Sequence, residues 1–141
     1  AGGLPMSRGR FISGSAPAWF VHAVMKYPRI AIAGGPRTGK STLAKLVTDR
    51  PVATADDWMR HEWDEVPGIA LEWAKNAGDS FVIEGVQTAR ALRKGLQVDA
   101  VIYLETPHVE QSPGQAAMSK GVATIFAEWR ASEPGTPIIK P

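Results

Sequence analysis

The feature that most narrows the folds open to this chain is the run Gly34-Gly35-Pro36-Arg37-Thr38-Gly39-Lys40-Ser41-Thr42, set between two apolar segments of different period. Before it, Arg29-Ile30-Ala31-Ile32-Ala33 is a short apolar run with β-branched residues, suited to a parallel strand buried on both faces. After it, Leu43, Leu46 and Val47 fall at helical spacing with Lys45 outside, until Asp49-Arg50-Pro51 ends the pattern. Strand, glycine loop and helix in that order predict an α/β fold. At 141 residues the chain has room for one sheet with helices on both faces and little more.

The nine residues fit G-x-x-x-x-G-K-[ST], the pattern of a phosphate-binding P-loop. Its chemistry explains the residue types. Gly34 and Gly39 permit backbone angles and close approaches that a Cβ obstructs, so successive N–H groups can converge on phosphate oxygens. The following helix adds its positive end. Lys40 has the reach for β- and γ-phosphates, and the Ser41 hydroxyl can ligate the magnesium that accompanies them. Residues 34–42, including Gly35, Pro36, Arg37, Thr38 and Thr42, are therefore the candidate site for ATP or another nucleoside triphosphate with Mg2+. The competing reading is a glycine turn with an exposed lysine.

Along the rest of the chain, Ala1 to Pro5 read as a tag remnant ahead of a start at Met6-Ser7-Arg8-Gly9-Arg10, and Phe11 to Ser15 as the small, flexible remainder of an arm that carries Arg8 and Arg10. Pro17 to Tyr27 carries Trp19, Phe20, Ala23, Val24 and Tyr27 at helical spacing, predicting a short helix that covers the sheet and stops at Pro28. These 28 residues precede a domain spanning 29–141. Pro51 to Thr54 reads as a second strand running into Ala55-Asp56-Asp57-Trp58. Carboxylates at the carboxyl end of a strand sit where open α/β sheets bind ligands, and either one can instead cap the helix expected over Trp58–Glu65. Arg60 lies on that segment's polar surface. A lone His61 reads as solvated or hydrogen-bonded rather than as a metal ligand. A second helix restarts at Pro67, with Ile69, Ala70, Trp73, Ala74 and Ala77 on one face, and closes at Gly78.

Ser80 to Gly85 is an apolar strand ending in Glu84 and a glycine, the form of an element whose acid orders a magnesium shell. Gln87 and Arg90 follow in a helix of Val86 to Lys94, where Arg90 is placed to meet a phosphate or substrate anion and Arg93 and Lys94 to meet the helix C-terminus. Val98 to Glu105 is a fourth strand. Gln115 to Arg130 is a helix bearing Met118, Val122, Ile125, Phe126 and Trp129, with Gly121 as an interruption or close contact, and Pro137 to Ile139 a short fifth strand. The chain has no cysteine, which removes disulfides, thiolate nucleophiles and zinc–thiolate sites and fits a cytoplasmic protein. No run of residues has the uninterrupted apolar length of a membrane span. A net charge of +2 argues only weakly for nucleic acid.

Together, IAIAGGPRTGKST (30–42), TADDW (54–58), FVIEG (81–85) and VDAVIYLETP (98–107) resemble the P-loop kinases of small molecules, the uridine-kinase-like branch in particular. The resemblance covers about residues 29–107 and is specific at the loop. It implies a three-layer P-loop NTPase fold whose parallel sheet of about five strands has the order 2-3-1-4-5, with Glu84 beside Lys40, Ser41 and the metal. The acid that takes the proton of the acceptor hydroxyl maps onto Asp56 or Asp57. Activity would be transfer of the ATP γ-phosphate to a small hydroxylated acceptor such as a nucleoside or nucleotide. In one respect the chain departs from the group. Such kinases close an arginine-bearing lid over ATP, whereas Thr106 to Trp129 holds only Lys120 as a permanent cation, leaving Arg37, Arg90 or Arg130 to supply that charge. The alternative is therefore a nucleotide-binding switch or assembly module without small-molecule phosphotransfer. Exposed tryptophan on the first helix or at Trp129 would give such a module a partner surface.

Overall fold

The structure is a computed structural model that describes residues 16–58 and 60–141, so the tag remnant and the arm with Arg8 and Arg10 lie outside the described residues. Five strands, β1 (Arg29–Gly34), β2 (Val52–Thr54), β3 (Phe81–Glu84), β4 (Ala100–Leu104) and β5 (Ile138–Ile139), form one sheet in the order β2-β3-β1-β4-β5. Every pairing is parallel. All strands therefore start at one end of the molecule, and their carboxyl ends gather at the other.

Side-chain alternation divides the core between the two faces. Ile30, Ile32, Val82, Ile102 and Leu104 point to one face, under helix α1 (Ala18–Lys26) and helix α2 (Lys40–Ala44). Ala31, Ala33, Phe81, Ile83, Val101 and Tyr103 point to the other, under α3 (Val66–Ala77), α4 (Thr88–Lys94) and α5 (Pro113–Ser132). Helices thus cover both faces. In α1, Phe20, Val21, Ala23 and Val24 are buried, and a fully buried phenylalanine such as Phe20 contributes about 2–3 kcal/mol. On the opposite face Tyr103 stacks on Phe126 with centroids 4.1 Å apart, and Trp129 packs behind it at 5.5 Å. Trp129 is therefore core rather than an exposed partner surface, and Trp19 is half-buried against Phe20.

Several expected elements differ in extent. The helix after the glycine loop ends at Ala44, because Leu46 and Val47 already close tight turns onto Leu43 and Ala44. Arg50 draws the chain back by donating to the carbonyls of Val24, Tyr27 and Pro28 at 2.8–3.0 Å. Among the described residues of 58–65 no α-helix forms; a 3₁₀ turn at Ala55–Trp58 is followed by turns over 60–65. His61, Glu62, Asp64 and Glu65 offer no apolar stripe for a helix to bury. Conversely, α5 starts two residues early, at Pro113. The Ser112 hydroxyl accepts from the Gln115 N–H while the Gln115 side chain accepts from the Ser112 N–H, a full capping box. Met118 is exposed, and α5 passes through Gly121 without interruption, with open space where its side chain would stand. Among the described residues no helix is long and apolar enough to cross a membrane.

Candidate functional site at the carboxyl edge of the sheet

The loop from Gly34 to Gly39 leaves the central strand β1, so the topology carries it to the carboxyl edge, between the ends of β3 and β4. Its glycines answer to packing. A Cβ on Gly34, where φ is +150°, would run into the backbone carbonyl of Leu104. One on Gly35 would overlap the Ser119 hydroxyl and lie 2.8 Å from Ser119 Cβ, so Gly35 is where α5 seats on the loop. Arg37 takes the left-handed conformation at φ +62°, alone among the described non-glycine residues. That conformation costs about 1–2 kcal/mol and persists only where the surroundings enforce it.

Lys40 begins α2 and is buried, with its ammonium donating to the Gly35 carbonyl and, at 3.3 Å, to the Thr38 hydroxyl. Thr38 also donates to the Gly35 carbonyl at 2.8 Å. Burial pulls the Lys40 pKa down, and the negative charges of Asp56 and Glu84 oppose that shift. Glu84, at the end of β3, alternates with Ile83 and so faces the α2 side, paired in register with Ile32 and Thr54. It is 1% exposed, and its Oε2 has no hydrogen-bond partner. Burial raises its pKa; the Thr54 hydroxyl hydrogen bond lowers it, Asp56 raises it, Lys40 lowers it and Asp57 raises it, in falling order. A buried lysine and a buried glutamate thus lie within reach of one another's charge, each pushed towards neutrality by lost hydration.

The acid pair divides. Asp56 Oδ1 accepts from the Val86 N–H at 3.3 Å, which ties the end of β2 to the turn after β3, and its charge reaches Lys40. Both carboxylates are exposed, and the charge of Asp57 bears on Glu84. Ser41 and Thr42 are exposed in the first turn of α2. Among the described residues no three His, Cys, Asp or Glu side chains gather as a metal site. A cation at this edge would therefore take Glu84 and Ser41 as partners and complete its shell from ligand oxygens, as Mg2+ commonly does beside phosphates. The unpartnered Glu84 Oε2 fits that role.

The other candidates are placed apart. Gln87 is buried, its Nε2 3.5 Å from the Trp63 carbonyl and its Oε1 unpartnered. Arg90 lies over the Trp63 ring and 3.7 Å from Asp64, and Arg60 is exposed in the turns beyond Asp57. Arg130 is at the wrong end of the molecule, donating to the carbonyls of Glu133 and Thr136 where α5 turns into β5. Its charge is therefore spent away from the carboxyl edge. Sequence reasoning overlooked a strap of His108 and Gln111. The His108 N–H donates to the Arg37 carbonyl at 2.8 Å, and Gln111 Nε2 to the Pro36 carbonyl at 2.7 Å and the Ser119 hydroxyl at 2.8 Å. The capping box Ser112-Pro113-Gly114-Gln115 was the available signal, since it fixes where the strap ends and α5 begins. Comparison of the chain with family models, with curated proteins and with solved structures returns no match.

Proposed function

We propose that the carboxyl edge binds a nucleoside triphosphate in a P-loop and that the protein is a kinase, moving the ATP γ-phosphate to a small hydroxylated acceptor. The observation that carries the reading is the meeting of Lys40, Glu84 and Asp56 beside a strained glycine loop at the carboxyl end of a 2-3-1-4-5 parallel sheet. Open α/β sheets place ligands at this edge. Lys40, released from the Gly35 carbonyl, carries its charge to the β- and γ-phosphate oxygens, while the loop N–H groups hold them. Ser41 and Glu84 are the residues to hold Mg2+, which when bound neutralises charge on those oxygens. Asp56 takes the proton of the acceptor hydroxyl as its oxygen bonds to the γ-phosphorus; the bond to the β-phosphate oxygen breaks and ADP leaves. Anchored by the Val86 N–H and within reach of Lys40's charge, Asp56 suits this task better than Asp57.

The test is ADP release from Mg-ATP across a panel of nucleosides, nucleotides and sugars. Acceptor-dependent release is expected, and its absence across the panel while ATP still binds removes the kinase. The position of Arg130 at the far end and the closure of the strap over Pro36 and Arg37 favour one second reading, a slow nucleotide switch whose assembly follows the bound nucleotide. Association that ignores ATP, ADP and Lys40→Ala removes that one.

A further inference from the structure

Away from the loop, a cleft of about 290 Å³ opens between the start of α3 and the outer face of α4, lined by Asp64, Pro67, Arg90, Arg93 and Lys94. Arg90, Arg93 and Lys94 stand at i, i+3 and i+4, so α4 gathers three cations on one face of seven residues. Like charges at these spacings repel, and Arg90 is in the first turn, where the helix dipole disfavours a cation. The dipole rewards Arg93 and Lys94, in the last turn, but not Arg90 or the crowding of all three.

The cations are nonetheless held. The Arg90 guanidinium sits 5.4 Å from the centre of the Trp63 ring, and the Trp63 backbone is in turn met by the buried Gln87 amide. The Lys94 stem passes over Gly68 of α3, where a Cβ would lie 3.8 Å from its Cε. Opposing carboxylates are few and loosely engaged. Asp64 is 3.7 Å from Arg90 and 95% exposed, and Glu128 of α5 is 3.5 Å from Arg93 with more than half its side chain in solvent. Exposed pairs of this kind hold weakly and yield to a better anion.

We propose that this cleft binds the phosphate group of a phosphomonoester. Two guanidinium forks and one ammonium match a dianion with several acceptor oxygens, and guanidinium forks pair with phosphate oxygens in parallel hydrogen bonds. The site is separate from the glycine loop and stands whether or not the loop takes a nucleotide.

Calorimetric titration of the full chain with inorganic phosphate and with glycerol 2-phosphate, at ionic strength held constant with chloride, tests it. Trp63 emission, identified by its loss in Trp63→Phe, locates the binding. Saturable binding is expected in the wild type and equally in Lys40→Met, with Trp63 emission changing at the same midpoint. Arg93 and Lys94 are exposed, so Arg93→Glu/Lys94→Glu should fold, as its circular dichroism and melting will show, and bind about tenfold more weakly or worse. A smaller loss overturns the assignment. So do the absence of binding at millimolar phosphate, an equal response to acetate, and abolition of binding by Lys40→Met, which would move the anion to the loop.

Discussion

The two ends of the sheet treat charge in opposite ways. Where the strands begin, Arg29 grips Asp99 through Nε at 3.0 Å and Nη2 at 2.9 Å, and the Arg29 backbone N–H donates to the same carboxylate. That hydrogen bonding holds Asp99 below the usual carboxylate range and raises Arg29. Nearby, Arg50 donates to three carbonyls around the end of α1. Where the strands end, Lys40 and Glu84 are shifted in the costly direction, the lysine down and the glutamate up, both chiefly by burial. One end uses its charges to close the fold, and the other keeps charges that the fold alone would be better without. Substitutions at the two ends should therefore separate stability from activity.

The largest effect is expected at Lys40. Lys40→Met removes the cation assigned to the migrating phosphoryl group, and loss of such a group slows transfer by about a thousandfold, or about 4 kcal/mol in the barrier. Stability should move by less than about 1 kcal/mol, because the Gly35 carbonyl keeps the Thr38 hydroxyl as donor and methionine fills the buried channel without a charge. Acceptor-dependent ADP release and urea denaturation of the same preparation check both halves. A variant that unfolds easily while retaining turnover would place Lys40 with the structural charges at the other end.

What could be read from the residues follows the same division. Short-range patterns were legible: the strands around Ile30–Ile32, Phe81–Ile83 and Val101–Leu104 and the stop at Gly78; the placing of Lys40 and Glu84 at one edge was implied only by the resemblance. Contacts between distant segments were not. Nothing in Gly35 or Ser119 taken singly announces that they touch, and the Gln111 bond to Pro36 joins residues 75 apart. Arg130 looked available because its composition is that of a lid cation; its capture by the Thr136 carbonyl depends on the course of α5. Asp56 and Asp57 are alike as neighbours in sequence, and nothing in either announces that Asp56 meets the Val86 N–H, 30 residues on.

At the end where the strands begin, Asp99→Ala should reverse the Lys40 pattern. It removes the fork, which is about a third exposed and so screened, and should cost about 1 kcal/mol in urea denaturation at neutral pH with turnover within about twofold of wild type. Because the Asp99 pKa is depressed from 3.8 in the folded chain, its contribution is present above that value and lost as pH falls through the folded one. The wild type and the variant should then converge in stability in strong acid. A variant that matches wild type in stability at neutral pH but has lost turnover would erase the contrast between the ends.

An effect no larger than that of Asp99→Ala, and the sharpest test, is expected at Glu84. Its folded pKa lies above the ordinary 4.5, so between 4.5 and the raised value the folded chain holds a proton that the unfolded chain has released. The stability this lends is complete below 4.5 and disappears as pH climbs through the folded pKa. Glutamine stays neutral throughout and still accepts from the Thr54 hydroxyl. Without metal or nucleotide, Glu84→Gln should therefore match the wild type in mild acid. It should become the more stable of the two by about 1 kcal/mol at pH 8, where the wild type must bury a charged carboxylate and the amide stays neutral. Melting curves from pH 4 to 8 give the comparison directly. If glutamine is instead the less stable at pH 8, the attraction between Glu84 and Lys40 outweighs their lost hydration, and the carboxyl edge is as well compensated as the Arg29–Asp99 end.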